Sequence, residues 1–313
     1  MMVRLMRSFA VVGLLLAARL AGAAEGTPEP IAGIGPTGPI QKLHSGFKFT
    51  EGPAGDRQGN LFFSDVAGNK TYKIDAQNKL SVFRDPSNYS NGLMFNAAGE
   101  LLACEMEGRV VAVSADGKNV RVLADKYNGA RFNAPNDLVI DRSGGVYFTD
   151  PHFRAPTPLP QGVTGVYYIA PDLRVTRLLD DVKAPNGVTM SPDEKTLYVI
   201  PSLQSEMLAY PIEGPGKIGK GRVFCSVQQP SGQSGKGGDG VAVDSQGNLY
   251  IATGLGLQVF SSAGKLLGII SLPEQPANAK FAGPDNRTLY ATARTSVYAV
   301  PMQATGHVFG DGK

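Results

Sequence analysis

Short apolar runs separated by polar turns cover the chain from about residue 40 onwards. In each copy of the pattern, a short apolar run leads into a turn of Asp, Ser, Gly or Asn residues, and a β-branched or aromatic run follows. Two further short strands come after each turn, for example Thr71–Ile74 and Leu80–Phe83 in the first copy. Strands of this length, with Gly and Asn at the turns and no helical period, predict four-stranded antiparallel units.

The pattern occurs six times. Its copies begin at Glu51, Asn91, Asn136, Asn186, Asp239 and Asn278, which gives spacings of 40, 45, 50, 53 and 39 residues. Six four-stranded units in about 275 residues predict an all-β chain folded as a six-bladed β-propeller, in which radial repetition protects the sheet edges. One domain of this kind accounts for nearly the whole chain of 313 residues.

The last unit has no outer strand of its own in the expected place. After Ser296–Val300 only a short tail remains, whereas Ile40–His44 precedes the first unit and has no blade. We therefore expect Ile40–His44 to be the outer strand of the last blade and to close the ring. Gly306–Phe309 is the alternative outer strand.

The first 23 residues have the features of a secretory signal peptide. Arg4 and Arg7 precede the apolar stretch Phe9–Ala18, which is too short to span a bilayer, and a small-x-small triplet ends at Ala23. We expect cleavage after Ala23 and a periplasmic or secreted protein; an uncleaved membrane anchor is the alternative. Residues 24–39 are rich in Pro and Gly and are expected to be an extended lead-in to a propeller of residues 40–313.

The net charge of +3 comes from this N-terminal segment, which contains three arginines and no acidic residue. The rest of the chain has 27 basic and 27 acidic side chains. A neutral mature chain argues against nucleic acid or an anionic membrane as the main partner, and its oligomeric state is left open. Cys104 and Cys225 lie in apolar, strand-like runs, so we expect two buried thiols, with a disulfide as the alternative for an exported protein.

The six copies share a polar residue at one position. Five residues before the turn, every copy has Asp, Glu or Asn: Glu51, Asn91, Asn136, Asn186, Asp239 and Asn278. Equivalent positions on the innermost strands of a propeller converge around its central channel. Converging oxygen-bearing side chains need water or a cation, and hard oxygen ligands suit Ca²⁺, Mg²⁺ or Mn²⁺. The alternative is a water-filled channel in which Asn side chains cap turns.

Several motifs, in this order and at this spacing, resemble one family. They are Arg131–Leu138 (RFNAPNDL), Tyr147–Pro151 (YFTDP), Ala184–Gly187, Gly238–Gly240, Asn278–Phe281 and Thr288–Tyr290. Together they resemble the senescence marker protein/gluconolactonase/luciferin-regenerating enzyme family of six-bladed propellers, closest to its bacterial gluconolactonase branch. The resemblance covers about residues 49–300.

The resemblance implies a site that binds one divalent cation in the channel. Carried over motif by motif, its ligands are Glu51, Asn136, Asn186 and Asp239. Ca²⁺ is the expected ion, with Mg²⁺, Mn²⁺ or Zn²⁺ as alternatives. The two remaining residues, Asn91 and Asn278, are expected to line the channel. Asn91 would also contact the substrate.

The chemistry that the family implies is hydrolysis of a small-molecule sugar lactone. The cation would polarise the lactone carbonyl, and Asp239 would bind the cation and also activate water as the catalytic base. A nearby carboxylate or a metal-bound hydroxide is the alternative base, because the charge of a metal lowers the basicity of its ligands.

Three further residues are candidate substrate contacts. The guanidinium of Arg131 has donors suited to sugar hydroxyls, with a surface ion pair as the alternative. Asn133 is either a turn former or a substrate contact. His152 follows an inner strand at the end expected to face the site, where the family often has another residue.

Two other functions share this scaffold. One is a phosphotriesterase of the diisopropyl-fluorophosphatase type, which has a similar Glu/Asn/Asn/Asp site, and the other is a non-catalytic binding propeller with a structural ion. Fold alone does not separate these functions. Two carboxylates, Glu51 and Asp239, on one cation favour an enzyme.

Overall fold

The computed structural model describes residues 24–25, 28–232 and 236–310. All regular secondary structure in these ranges is β-strand, and the strands form six antiparallel sheets of four or five strands and one short two-stranded hairpin. The innermost strand of each sheet packs against the innermost strand of the next, and the sixth packs back on the first. The predicted six-bladed β-propeller is therefore confirmed.

The strands follow the chain order of the blades. Two strands precede blade 1: β1 (Ala24–Glu25) and β2 (Ile40–Ser45). Blade 1 contains β3 (Thr50–Gly55), β4 (Leu61–Asp65), β5 (Lys70–Ile74) and β6 (Leu80–Arg84). Blade 2 contains β7 (Ser90–Phe95), β8 (Leu101–Glu105), β9 (Arg109–Val113) and β10 (Val120–Ala124). A short hairpin follows, with β11 (Lys126–Tyr127) and β12 (Ala130–Arg131).

The second half of the ring repeats this plan. Blade 3 contains β13 (Leu138–Ile140), β14 (Val146–Asp150), β15 (Gly165–Ile169) and β16 (Val175–Leu179). Blade 4 contains β17 (Pro185–Met190), β18 (Thr196–Pro201), β19 (Glu206–Gly214), the added β20 (Lys217–Ile218) and β21 (Arg222–Ser226). Blade 5 contains β22 (Val241–Val243), β23 (Leu249–Thr253), β24 (Gly256–Phe260) and β25 (Leu266–Ile270). Blade 6 contains β26 (Pro276–Ala282), β27 (Thr288–Ala293) and β28 (Ser296–Pro301).

The outer strand of blade 6 is β2, which pairs antiparallel with β28. The expected closure of the ring by Ile40–His44 is confirmed, and the alternative, an outer strand at 306–309, is wrong. Those residues instead cross to blade 5, where Gly306 forms a bridge to Asp244 and His307 N donates to Val243 O at 3.1 Å.

The lead-in before β2 packs on the propeller. Ile34 is 5% exposed and belongs to the core of blades 5 and 6. Its carbonyl accepts hydrogen bonds from Gln303 N and Ala304 N, both at 3.0 Å. The backbone of β1 adds a fifth strand to blade 6. The lead-in thus packs beside the β2–β28 pair that closes the ring.

The core consists of side chains packed within and between blades. Aromatic residues predominate among its largest members, as β-strands favour. Phe132 packs edge-on against Phe148 and Tyr167, with ring centres 5.0 and 5.1 Å apart, and so anchors the segment that leads to Asn136. Cys104 and Cys225 are buried free thiols, which confirms the prediction made for them.

The expected signal peptide lies outside the described residues, so its cleavage stays a prediction. Within the part of the chain that the structure describes, no helix has the length and apolar character needed to cross a bilayer.

Candidate functional site

Six polar side chains surround one end of the channel. Each lies at, or just before, the start of the innermost strand of its blade, and the hairpin turns lie at the other end of these strands. Five of the six are nearly inaccessible, at 2–5% exposure: Glu51, Asn91, Asn136, Asn186 and Asn278. Asp239 is partly exposed. We call these six residues the polar ring.

Small residues next to the polar ring allow the inner strands to approach closely. Gly92 N donates to Asn136 O at 2.7 Å, and Gly187 N donates to Asp239 O at 3.1 Å, so each bond joins neighbouring blades. A Cβ at Gly187 would lie 2.5 Å from the same carbonyl oxygen. Only glycine fits at position 187, and the two backbone hydrogen bonds hold the inner strands of neighbouring blades close together.

Hydroxyl groups on the second strands also hold the ring backbone. Ser64 Oγ donates to Asn91 O at 2.8 Å, and Thr149 Oγ1 donates to Asn186 O at 2.6 Å. In both cases the hydroxyl belongs to the preceding blade. These contacts fix the rotation of one blade relative to the next at the level of the site.

Asn186 and Asp239 are in direct contact. The Asn186 Nδ2 group donates to Asp239 Oδ1 at 2.6 Å and to Ser202 Oγ at 3.0 Å. Ser202 Oγ in turn donates to Gly238 O at 2.9 Å. Ser202 has no counterpart in the sequence repeat, so the sequence pattern did not indicate it.

The two carboxylates of the ring influence one another. Burial, followed by the charge of Asp239, raises the pKa of Glu51 well above its usual range, although Gly52 N donates to its carboxylate at 2.8 Å. Burial also raises the pKa of Asp239 to about 7, against the hydrogen bond from Asn186. Two desolvated carboxylates of like charge therefore share this end of the channel.

The donor set fits a hard cation. Asn91 Oδ1 is buried without a hydrogen-bond partner, and its Nδ2 group reaches only Met106 Sδ at 3.8 Å. A cation would relieve the repulsion between Glu51 and Asp239, and a water or ligand at the ring would satisfy the orphaned oxygen of Asn91. No cluster of three His, Cys, Asp or Glu suited to a metal occurs in residues 24–25, 28–232 and 236–310. The candidate ligands Glu51, Asn136, Asn186 and Asp239 differ from such a cluster, because two of the four are Asn side chains.

Arg131 and Asn133 hold the segment that leads to Asn136. Arg131 Nε donates to Phe132 O at 3.0 Å, and its Nη2 donates to Asn133 O at 3.2 Å. Asn133 is fully buried; its Nδ2 donates to Val163 O at 2.8 Å and its Oδ1 accepts from Gln161 N at 3.1 Å. Both side chains thus have backbone partners, and a substrate contact by Asn133 would require one of these bonds to be exchanged.

Asp150 is a site residue whose role the sequence did not indicate. Its carboxylate accepts hydrogen bonds from Asn133 N and Ala134 N, both at 2.8 Å. Burial raises the pKa of Asp150 to about 7, against these two donors and the charge of Arg131. It lies in the YFTDP motif, but the motif alone does not show that Asp150 fixes the segment before Asn136.

His152 lies in the loop after β14, at the same end of the blade as the ring. Its side chain is exposed, and its ring centre lies 5.1 Å from that of Phe153. The structure thus places His152 on the rim, where it is accessible to a ligand, and its role stays a prediction.

A cavity of about 740 Å³ lies at the opposite end, between the hairpin turns of blades 1, 2 and 6 and the tail residues 307–309. The polar ring is therefore separated from this cavity by the length of the inner strands.

Comparison with known proteins places the chain in a family. Residues 49–295 match the family described as the SMP-30/gluconolactonase/LRE-like region. A gluconolactonase from Zymomonas mobilis is 30% identical over 294 residues, which cover 86% of this chain and 82% of that protein. The lactonase drp35 from Staphylococcus haemolyticus is 31% identical over 282 residues, covering 82% of this chain and 84% of the relative.

A solved structure agrees. The gluconolactonase from Xanthomonas campestris superimposes with a TM-score of 0.78 at 31% identity, covering 84% of this chain and 89% of that one. The family match spans most of the chain, and the structural likeness covers a similar share of it. The chain therefore belongs to the SMP-30/gluconolactonase/LRE-like family.

Proposed function

We propose that this protein is a metal-dependent hydrolase that opens a sugar lactone at the polar ring. The observation that carries the proposal is the hydrogen bond from Asn186 to Asp239 beside the buried Glu51, at one end of the channel. Relatives of this chain at about 30% identity are lactonases. Two carboxylates of raised pKa in one site favour an enzyme, because perturbed pKa values cluster at functional sites.

Asp239 is the group proposed to activate water. Lactone opening adds water to the carbonyl carbon, and the proton of that water must pass to a base. The carboxylate of Asp239 is the proposed acceptor of that proton. Burial raises its pKa to about 7 in the protein without a cation, and a bound cation would lower this value. Asp239 is partly exposed and can therefore contact a ligand, whereas Glu51 is almost completely buried.

Glu51, Asn136, Asn186 and Asp239 would hold the divalent cation, with Ca²⁺ as the proposed ion. When bound, such a cation polarises a carbonyl oxygen and stabilises the negative charge that develops on it. Asn186 has a second function in this proposal, because its bond to Asp239 Oδ1 orients that carboxylate.

The substrate side of the site is proposed to include Asn91, Arg131, Asn133 and His152. Asn91 Oδ1 is a buried acceptor at the ring, and His152 is exposed on the rim. A small lactone would thus enter from the rim and meet polar groups as it approaches Asp239.

One experiment tests the function. Purified mature protein is assayed with a panel of aldono-lactones in a pH-indicator assay, before and after dialysis against a chelator, and the metal content of each sample is measured. We expect one divalent ion per chain, rapid ring opening, and loss of activity on chelation that Ca²⁺ restores.

A phosphotriester with a fluoride leaving group serves as the comparison substrate. Preference for the phosphotriester would replace lactonase activity with the alternative function. A metal-loaded protein that opens no lactone in the panel would contradict the proposal, and full activity in metal-free protein would contradict its metal dependence.

A further inference from the structure

The loop between β14 and β15 departs from the sixfold repeat. The connection between the second and third strands has two to four residues in the other five blades, whereas blade 3 has the fourteen residues 151–164. The end of β14 lies at the level of the polar ring, because Thr149 Oγ1 donates to Asn186 O. The loop therefore begins beside the ring, and His152 is its second residue. Long loops without secondary structure of their own are usually functional.

The second half of this loop is fixed by Gln161. Its Nε2 group donates to Ala130 O at 2.8 Å, and its backbone N donates to Asn133 Oδ1 at 3.1 Å. Both partners belong to the segment that connects blades 2 and 3. This half of the loop is thus held in place independently of the residues around His152.

The first half of the loop is held against blade 2 by Arg154. The Cζ atom of Arg154 lies 3.3 Å from the centre of the Tyr89 ring, and its Nη2 lies 3.7 Å from Glu107 Oε1. Tyr89 directly precedes β7, and Glu107 lies in the turn between β8 and β9. The planar guanidinium can stack on an aromatic face and pair with a carboxylate at once, which a lysine ammonium does less well.

Tyr89 presents its ring from an unusual backbone conformation. Its φ is 55°, and this left-handed conformation is costly for a bulky side chain. Tyr89 N donates to Asn69 Oδ1 at 2.7 Å, and Tyr89 O accepts from Met106 N at 3.1 Å. The equivalent residue of blade 4 has a similar φ of 50° but is only an alanine, Ala184. The repeat therefore does not require an aromatic ring here, and in blade 2 the ring serves as the platform for Arg154.

Arg154 and His152 belong to one turn. Ala155 N donates to His152 O at 3.1 Å, so His152 is the first residue of the turn and Arg154 the third. Blade 2 in turn is joined to the polar ring next to this platform, because Asn91 Nδ2 reaches Met106 Sδ at 3.8 Å. Contact between Arg154 and blade 2 therefore fixes where the imidazole of His152 lies relative to the ring.

We propose that Arg154, docked on Tyr89 and Glu107, is a positioning residue that holds the His152–Ala155 turn beside the ring so that His152 contacts the substrate. Docking in the free protein removes part of the entropy cost that ordering the loop would add to substrate binding. The contact of His152 with a lactone rests on the proposed function, whereas the fixing of the turn by Arg154 does not.

Steady-state kinetics on the lactone that the wild type opens fastest tests the effect on the substrate. Arg154→Met and His152→Ala should each raise KM by about fivefold or more, the size of one lost hydrogen bond, with kcat within about twofold of wild type. The double variant should have nearly the KM of His152→Ala alone, because without the imidazole Arg154 has nothing to position. Arg174→Met is the control, since Arg174 is 83% exposed in an outer turn of blade 3 and also pairs with a carboxylate, that of Asp172.

A matched pair of changes at Tyr89 tests the platform. Tyr89→Phe keeps the ring face and should have the wild-type KM, whereas Tyr89→Leu removes the face and should raise KM as Arg154→Met does. A residue that matters only for packing would not separate KM from kcat in this way.

NMR of the histidine rings tests the turn itself without any substrate. The chain has three histidines, so the ring ¹H–¹³C spectrum contains three Cε1 signals, and His152→Ala identifies the signal of His152. Arg154→Met and Tyr89→Leu should shift this signal and increase the motion of the imidazole, whereas Tyr89→Phe should leave it unchanged. The signals of His44 and His307 serve as references and should not move.

Each outcome decides the matter. A His152 signal that is identical in wild type and Arg154→Met would overturn the proposal. So would additive effects on KM in the double variant, a fall in kcat at unchanged KM, or a His152→Ala protein with the wild-type KM. If the wild type opens no lactone, the proposed function fails, and the NMR comparison still decides whether Arg154 holds the turn.

Discussion

The side-chain amide of Asn186 donates a 2.6 Å hydrogen bond to Oδ1 of Asp239, across the boundary between blades 4 and 5. The two residues are 53 positions apart and occupy the same place in their repeats. A single contact thus joins two blades and orients the carboxylate that we propose as the base.

The first prediction concerns that carboxylate. Asp239→Asn keeps the size of the side chain and an oxygen that can accept from Asn186, but removes a charge and the proton acceptor. Lactone hydrolysis should fall by about a hundredfold or more while the fold is retained. Rate and metal content are measured on the same sample, so that loss of the cation is distinguished from loss of the base.

The control for this change is Asp285→Asn, the same substitution at an exposed turn of blade 6. It should hydrolyse lactones at the wild-type rate. An Asp239→Asn protein that binds metal normally and keeps the original rate would disprove the catalytic assignment.

A second prediction follows from the raised pKa of Asp150. Because burial raises the folded-state pKa to about 7, above the value of about 3.9 for an unfolded chain, the folded state binds the extra proton between these pH values. The contribution of Asp150 to stability is therefore complete below about pH 4 and is lost as the pH rises through 7.

Urea unfolding of wild type and Asp150→Asn between pH 4 and 8 measures this effect. The free energy of unfolding of the wild type should fall relative to that of the variant between about pH 4 and 7. A difference that stays constant across this range would show that Asp150 is ionised throughout.

The third prediction concerns the close approach of blades 2 and 3. A Cβ at Gly92 would lie 2.6 Å from Asp137 Oδ1 and 2.8 Å from Asn136 O, so Gly92→Ala must push the inner strands apart. Tm should fall by about 5 °C or more, and lactonase activity should fall with it. Gly214→Ala is the matched control, because a Cβ there meets nothing within 4 Å; differential scanning calorimetry of both variants should separate them clearly.

The thiols provide a fourth prediction. Burial raises the pKa of Cys225 to about 12 and that of Cys104 well above its usual range, so neither is ionised at pH 8. Native protein should react very slowly with a disulfide reagent, and two thiols should react after denaturation without reductant. Fewer than two reactive thiols in the denatured protein would mean that one or both are oxidised.

The fifth prediction is export. We propose that the first 23 residues are removed, so intact-mass measurement of protein from the periplasm or the medium should show a chain that begins at Ala24. The backbone of Ala24 pairs with Gln41 in blade 6, so the new N-terminus would lie at the edge of this sheet. Protein that retains Met1 and stays in the cytoplasm would contradict the proposal.

The sequence by itself determined the number of blades, the register of the polar ring and the strand that closes the propeller. These features are local: each strand and turn is specified by its own alternation of apolar and polar residues, and sixfold repetition makes equivalent positions converge on one axis. Glu51 and Asn278 were therefore expected at the channel without knowledge of any contact, and the structure places both in the ring.

Only the tertiary structure decided which side chains meet. The bond from Asn186 to Asp239 and the hydroxyl contacts of Ser64 and Thr149 to the next blade depend on how each blade is rotated against the next. That rotation is set by packing and hydrogen bonds between residues far apart in the chain, which no local pattern records.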